Sequence, residues 1–178
     1  MERWTLDPEH TSIGFLVDHA GYAKTLGMFR EMSGHFDFDR DSRTLGTGVI
    51  EIETASVFTN HDGRDNHLRN RDFLSVERHP KMIFRAERWE STGEDEGLLH
   101  GTLELLGETR PLVLGGRINR VARYPFPIGG IINRPLVLGA SLRGSFNRGD
   151  FGMTYGLRPM ELVGNTVELI IEFEARRD

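Results

Sequence analysis

Cysteine is absent from the 178 residues of this sequence. The chain therefore has neither a disulfide framework nor a thiolate metal site, and its cysteine pattern gives no information on redox compartment. Long apolar runs are also missing, since no window approaches the roughly 20 apolar residues that a membrane-spanning helix requires. The start, Met1 to Pro8, has no apolar stretch behind a basic segment, so no secretory signal is recognisable. We expect a soluble protein without stable membrane insertion, cytoplasmic as the sequence stands and periplasmic if a leader has been removed.

The sequence also lacks an excess of basic residues. The formal net charge is -5, whereas nucleic-acid binding requires a basic surface that releases counterions from phosphates, so we expect no nucleic-acid partner. Hydrophobic residues make up 38% of the chain and charged residues 28%, which is an ordinary balance for a folded protein. The length suits one substantial core, and we predict a single domain over residues 1–178.

Apolar and polar residues alternate along most of the chain, and this period of two is typical of strands with one buried face. The clearest example runs from Val167 to Phe173, and a further strand is predicted from Leu136 to Asn147. Glycine is frequent, at 21 residues. We assign to turns Gly46, Gly93, Gly97, Gly107, Gly115, Gly116, Gly129 and Gly130. Many short strands with glycine-rich turns indicate a sandwich or a barrel.

One segment without alternation, Asp62 to Val76, predicts a short helix. Asp62 is the expected N-terminal cap, and the apolar side chains of Leu68, Phe73 and Val76 are expected to turn inward. The next strand begins after Pro80, which disfavours a helical residue before it.

A second irregular segment, Arg120 to Pro135, holds three of the seven prolines and two adjacent glycines, and therefore predicts a long loop or hairpin. It also carries two apolar groups, Tyr124 to Ile128 and Ile131 to Ile132. Such groups are expected to be covered, either as a lid over a barrel mouth or in a twofold interface. Of the two, we favour a homodimer.

A series of short motifs spread over nearly the whole chain is similar to one known family. The motifs are Trp4 to Ser12, Phe15 to His19, Gly27 to Phe29, Gly34, Ala55 to Val57, Arg64 to Asn70, Asp72 to Phe73, Pro80 to Phe84, Gly101 to Leu103, Leu106 to Pro111 and Asn147 to Met153. This series resembles the YceI-like polyisoprenoid-binding family. The resemblance implies an all-β, antiparallel eight-stranded lipocalin-like barrel with one or two short helices. It also implies that the pore holds a polyisoprenoid or quinone tail, that members pair as dimers, and that no catalysis is established for the family in general.

Strand parity selects the residues that would face such a pore. The ligand-binding candidates are Phe15, Val17, His19, Phe29, Phe36, Phe38, Ile50, Ile52 and Phe84. A register error of one residue would exchange the whole set for the opposite faces. The same apolar residues also suit a dry core, because an eight-stranded barrel is just wide enough either to be packed by its own side chains or to hold one small ligand. The expected partner is therefore an apolar small molecule, bound for storage or transport.

Histidines and a charged segment keep an enzyme alternative open. His10, His19 and His67 could converge on a metal, but none is paired at helical spacing around a glutamate, so no metal or cofactor is assigned. A cluster that brings acid, base and cation together could perform acid-base chemistry, and its members are Arg64, Asp65, His67 and Asp72. A structural network that contains His10, Arg64, Asp65 and His67, with Arg64 and Asp65 as a buried pair, is simpler. No catalytic residue is assigned, and a ligand-free interaction module is the third alternative.

Overall fold

Ten strands and one α-helix form the main regular structure of residues 1–127 and 134–178, the part of the chain that the computed structural model describes. The elements are β1 (Glu2–His19), β2 (Ala23–Phe29), β3 (Met32–Asp39), β4 (Thr44–Glu53), β5 (Val57–Phe58), α1 (Asp62–Arg69), β6 (Lys81–Ser91), β7 (Glu96–Leu105), β8 (Glu108–Arg123), β9 (Leu136–Asn147) and β10 (Val163–Arg177). Two short 3-10 turns lie at Thr54–Ser56 and Arg148–Phe151. The predicted all-β class is confirmed.

Eight of the strands close into an antiparallel barrel. The order is β10, β9, β8, β7, β6, β4, β3 and β1, and β1 pairs again with β10 to complete the ring. The first residues of β1 pair with β3 and its second half pairs with β2, so β2 and β3 together act as one long partner strand. β5 extends β4 in the same way by pairing with β2. The predicted eight-stranded barrel with one helix is confirmed.

The strand connections collect at two opposite ends of the barrel. The mouth end carries the β1–β2 turn, the segment 54–80 with α1, the β7–β8 turn, and the segment 148–162. The base carries the β3–β4 and β6–β7 turns together with the first and last described residues. Trp4 is fully buried near the base, where its indole nitrogen donates a hydrogen bond to the carbonyl of Phe38 (3.3 Å). The base is therefore filled by protein side chains.

The β1–β10 seam contains a bulge near its middle. Asp7 pairs with Glu174 and Ser12 pairs with Glu172, so β1 uses five residue steps where β10 uses two. Such bulges bend a strand and redirect its side chains. The redirected residues include His10.

The helix forms where it is predicted, but its cap differs. The N-cap is His61, whose Nδ1 accepts a hydrogen bond from the backbone N–H of Arg64 (3.0 Å), so the expectation that Asp62 caps the helix is wrong. Asp62 instead lies in the first turn, where a carboxylate interacts favourably with the helix dipole. Phe73, beyond the helix end, is buried as expected. The described helices are all too short or too polar to span a bilayer.

The irregular segment is shorter than predicted, because β8 continues to Arg123 and pairs there with Leu136 of β9. The expected loop from Arg120 therefore begins at least four residues too early. Residues 128–133 lie outside the described residues, and with them lie the predicted turn glycines Gly129 and Gly130 and part of the two predicted apolar groups, namely Ile128, Ile131 and Ile132.

Several other glycines assigned to turns lie within strands. These are Gly46, Gly97, Gly115 and Gly116. Gly93 and Gly107 do occupy turns, and Gly107 adopts a positive φ of 77°, a conformation that favours glycine.

Candidate functional site

The barrel encloses a cavity of about 420 Å³. The residues that line it come from strands all around the barrel and from both ends, with Trp89, Leu99 and Leu138 toward the base and Val163 at the mouth. Its volume falls within the range of roughly 300–1,000 Å³ that is usual for small-molecule sites. The interior is thus not completely packed by the barrel's own side chains.

All nine residues that strand parity selects lie on the wall of this cavity. They are Phe15, Val17, His19, Phe29, Phe36, Phe38, Ile50, Ile52 and Phe84. His19 lies at the mouth, at the last position of β1, and Phe38 lies near the base, at the other end of the barrel. That these side chains bind a ligand stays a prediction, whereas their position on the cavity wall is observed.

Glycines in neighbouring strands make room for the aromatic wall. Gly27 pairs with Phe15 and Gly48 pairs with Phe36 across adjacent strands. A Cβ on Gly27 would overlap the ring of Phe15, and a Cβ on Gly48 would lie only 2.7 Å from the Cβ of Phe36. The missing side chains let the rings lie along the wall, an arrangement that also occurs where rings cover glycines in other sheets.

The mouth is where polar groups reach the cavity, and α1 places two of them. Arg64 donates hydrogen bonds to the side-chain oxygen (2.7 Å) and the carbonyl (2.6 Å) of Thr59. His67 lies with Nε2 2.9 Å from Asp72 Oδ2, and its ring packs edge-on against Tyr155 at 4.9 Å between centroids. Thr59, Arg64, His67 and Tyr155 all line the cavity. The site is therefore apolar along its length and polar at one end.

Asp65 faces the protein interior and anchors the helix. Its carboxylate accepts hydrogen bonds from the backbone N–H of Thr59 (2.9 Å) and from the Thr59 hydroxyl. Arg64 and Asp65 therefore each bond Thr59 rather than one another, and Arg64 is exposed while Asp65 is buried. The expectation of a buried Arg64–Asp65 pair is wrong.

Arg148 is the polar residue of the cavity wall that the sequence reasoning missed. Its side chain is 1% exposed and donates hydrogen bonds to four backbone carbonyls, those of Met153, Tyr155, Val163 and Gly164, at 2.7 to 2.9 Å. Burial lowers the pKa of its guanidinium, but arginine stays protonated in proteins. The only signal in the sequence was its place within the Asn147 to Met153 motif.

The three histidines do not converge. His19 and His67 line the cavity, whereas His10 lies at the β1 bulge, with Nδ1 2.9 Å from Asp7 Oδ2 and 4.0 Å from Glu174 Oε2. The ligand atoms of Asp7, His10 and Glu174 lie close enough together to hold a cation. However, the guanidinium of Arg176 already contacts the same Asp7 oxygen, which suits a salt bridge better than a metal site.

An eight-stranded antiparallel barrel with an apolar interior and a polar mouth defines a lipocalin-like class of barrel. Within that class, the profile of the YceI-like domain matches residues 4–175. The chain therefore belongs to the YceI-like family. A UPF0312 protein of Azotobacter vinelandii is 33% identical over 175 residues, which covers 95% of this chain and 83% of the relative. A UPF0312 protein of Serratia proteamaculans is 34% identical over 169 residues, covering 95% and 82%.

Solved structures have the same fold. A YceI protein of Campylobacter jejuni is 29% identical and superposes with a TM-score of 0.75 over 90% of each chain. BcnA of Burkholderia cenocepacia has a TM-score of 0.80 at 14% identity, over 95% of this chain and 98% of that one. A structure described as a polyisoprenoid binding domain from Saccharophagus degradans has a TM-score of 0.70 at 14% identity and full coverage of both chains.

Proposed function

We propose that this protein binds one long apolar ligand of the isoprenoid or quinone class inside the barrel, for storage or transport rather than for catalysis. The observation that carries the proposal is the apolar cavity of about 420 Å³ that opens among polar groups at the mouth. An apolar chain gains about 0.8 kcal/mol for each methylene that it buries, so no covalent step is needed for retention. The Saccharophagus degradans domain, described as polyisoprenoid binding, supports this ligand class.

The polar groups lie at one end of the cavity, and this distribution determines the orientation of the proposed ligand. The apolar tail would lie toward Trp89 and Leu138, and a polar head group would remain at the mouth beside Arg64 and His67. Both of these side chains carry hydrogen-bond donors, which suit a carbonyl, hydroxyl or anionic head. As part of the same proposal, the protein forms a homodimer, and the apolar groups Tyr124 to Ile128 and Ile131 to Ile132 of the sequence support this state.

Native mass spectrometry of freshly purified protein, before and after organic extraction, tests the proposal directly. The expected result is an extractable adduct with the mass of an isoprenoid lipid or quinone. A protein that carries no adduct, and that also takes up no added isoprenoid alcohol or quinone, would contradict the proposal. An adduct that resists extraction and is removed by a chelator would favour the metal-dependent alternative.

The variant Phe36→Asp tests the cavity wall. Phe36 is buried on that wall and packs edge-on against Phe173 at 6.1 Å. A carboxylate there should abolish ligand retention and cost several kcal/mol, at least about 2, in the free energy of unfolding. The control is Val113→Asp, which places the same charge on the exposed outer face of β8.

A second variant separates ligand loss from unfolding. Val167→Phe fills part of the cavity with a larger side chain while leaving its wall apolar, because Val167 is buried and lines the same space. We expect a folded barrel, shown by circular dichroism, with a reduced ligand load. An unchanged ligand load in folded Phe36→Asp and Val167→Phe proteins would refute the assignment of the cavity as the binding site.

A further inference from the structure

Large apolar side chains are exposed around the cavity mouth. Tyr22 in the β1–β2 turn is 89% exposed, and in the segment before β10 Tyr155 is 48%, Met160 67% and Leu162 51% exposed. These four residues are called the apolar rim. Exposed apolar groups that occur singly are ordinary, but a cluster beside a ligand site usually marks an interaction surface.

Backbone hydrogen bonds join the rim into one surface. The N–H of Ala20 in the β1–β2 turn donates to the carbonyl of Leu162 (3.0 Å), and the N–H of Leu162 donates to the carbonyl of Gly156 (2.9 Å). The two turns that carry Tyr22 and Tyr155 are therefore tied together. Tyr155 also lines the cavity, so the rim is continuous with the mouth.

The rim differs from the rest of the protein in charge. Residues 19–23 and 154–162 contain one formally positive side chain, Arg158, and one negative side chain, Glu161, with histidine counted as neutral. Their net charge is zero, whereas the whole chain carries -5. Anionic lipid head groups would repel most of such an acidic protein, but residues 19–23 and 154–162 add no net negative charge.

We propose that the apolar rim docks onto a lipid bilayer, so that an apolar ligand passes between the membrane and the cavity without crossing water. The proposal rests on the proposed ligand-binding function, since an insoluble ligand needs an apolar route to the cavity. Two of the four rim residues are tyrosines, whose ring is apolar and whose hydroxyl prefers water, a combination suited to the interfacial layer of a bilayer. Met160 and Leu162 enter the acyl boundary beside them.

Flotation with phosphatidylcholine vesicles tests the docking. The test variant is Met160→Asp with Leu162→Asp, and the matched control is Val113→Asp. Val113 is 44% exposed, close to the 51% of Leu162, but it lies on the outer face of β8 rather than in the two turns that carry the rim. We expect the wild-type protein and the control to float with the vesicles, and the rim variant to bind at least about tenfold less.

Two results would overturn the docking proposal. One is wild-type protein that does not bind vesicles, and the other is a rim variant that binds as well as the control. In the first case, light scattering that shows a wild-type dimer which the rim variant turns into a monomer would assign the rim to a second copy of the chain.

The same proteins distinguish this proposal from the ligand-binding one. Transfer of a fluorescent isoprenoid alcohol from vesicles to protein is measured alongside flotation. Rim-dependent flotation in a protein that never takes up the probe supports docking and refutes ligand binding. Ligand found by mass spectrometry in a protein whose flotation does not depend on the rim supports ligand binding and refutes docking.

Discussion

Arg148 brings a positive charge into the wall of the barrel, where its hydrogen-bond partners are carbonyls rather than carboxylates. The four carbonyls belong to residues 153–164, the segment that leads from the second 3-10 turn into β10. The guanidinium carbon also lies 5.7 Å from the centre of the Phe73 ring. A single side chain therefore holds the shape of one side of the mouth.

The first prediction is that Arg148→Lys destabilises the protein strongly. An ammonium has one nitrogen and three donors, so it cannot reach four carbonyls that a planar guanidinium bonds from three nitrogens. Carbonyls left buried and unpaired should lower the free energy of unfolding by about 3 kcal/mol. Urea denaturation measures this loss. The control, Arg120→Lys on the exposed surface, should change it by less than about 0.5 kcal/mol; equal losses in both proteins would contradict the assigned role.

The second prediction concerns Asp65. Asp65→Ala removes the acceptor of the buried Thr59 N–H and should lower the free energy of unfolding by about 1 to 3 kcal/mol, with or without ligand. Asp65→Asn keeps an acceptor oxygen and should lose less. Both are measured by thermal melting. Unaltered stability of Asp65→Ala together with loss of some turnover activity would favour the enzyme alternative.

At the level of secondary-structure elements, the bulge in β1 gathers a small ionic cluster. The hydrogen bond from His10 to Asp7 raises the pKa of His10, and nearby Glu174 adds to the effect. Burial raises the pKa of Asp7, but hydrogen bonds with His10 and Arg176 outweigh it, and the pKa lies below its ordinary value. The cluster therefore favours a protonated His10 and an ionised Asp7 in the folded protein.

The third prediction is a pH dependence of stability. The His10 contribution is fully present below the ordinary histidine pKa of about 6.5 and is lost as pH rises through the raised pKa. The Asp7 contribution is present above about pH 3.9 and is lost as pH falls through the lowered pKa. The wild-type protein should therefore melt at a higher temperature than His10→Gln. This difference in melting temperature should be largest near pH ~5 and should shrink by pH ~8.

The pH effect should be small, because the His10 side chain is 45% exposed and solvent screens its ion pair. A His10→Gln difference that grows with pH would contradict the assignment.

The strands and the cavity wall were largely predictable from the sequence, because the two-residue alternation of a strand depends only on residues that are close together along the chain. The predicted strand from Leu136 to Asn147 has the same bounds as β9. Strand parity alone was enough to assign Phe36 and Phe84 to the cavity wall. The partners of Arg148 could not be predicted, since its four carbonyls lie 5 to 16 residues away along the chain. The role of Gly27 was hidden for the same reason, because Phe15 approaches it across strands.

At the level of the whole molecule, the fourth prediction concerns the proposed homodimer and the segment 125–132, part of which lies outside the described residues. The test is deletion of residues 125–132, with mass from light scattering and ligand retention measured together. We expect a monomer that keeps its ligand, which supports an interface between two copies. A dimer that persists while ligand is lost supports a lid, and a variant unchanged in both measurements contradicts both roles.

The closure of β1 against β10 also determines when this protein can fold. On the ribosome, β1 is made before β10, which starts at Val163, and synthesis of the residues between them takes roughly 7 to 30 seconds at usual rates. During that time the nascent sheet has two free edges and an uncovered apolar inner face, and pairing of such distant segments is slow. Folding is therefore completed only after β10 has been made, and the unfinished barrel is the state in which a chaperone would be needed.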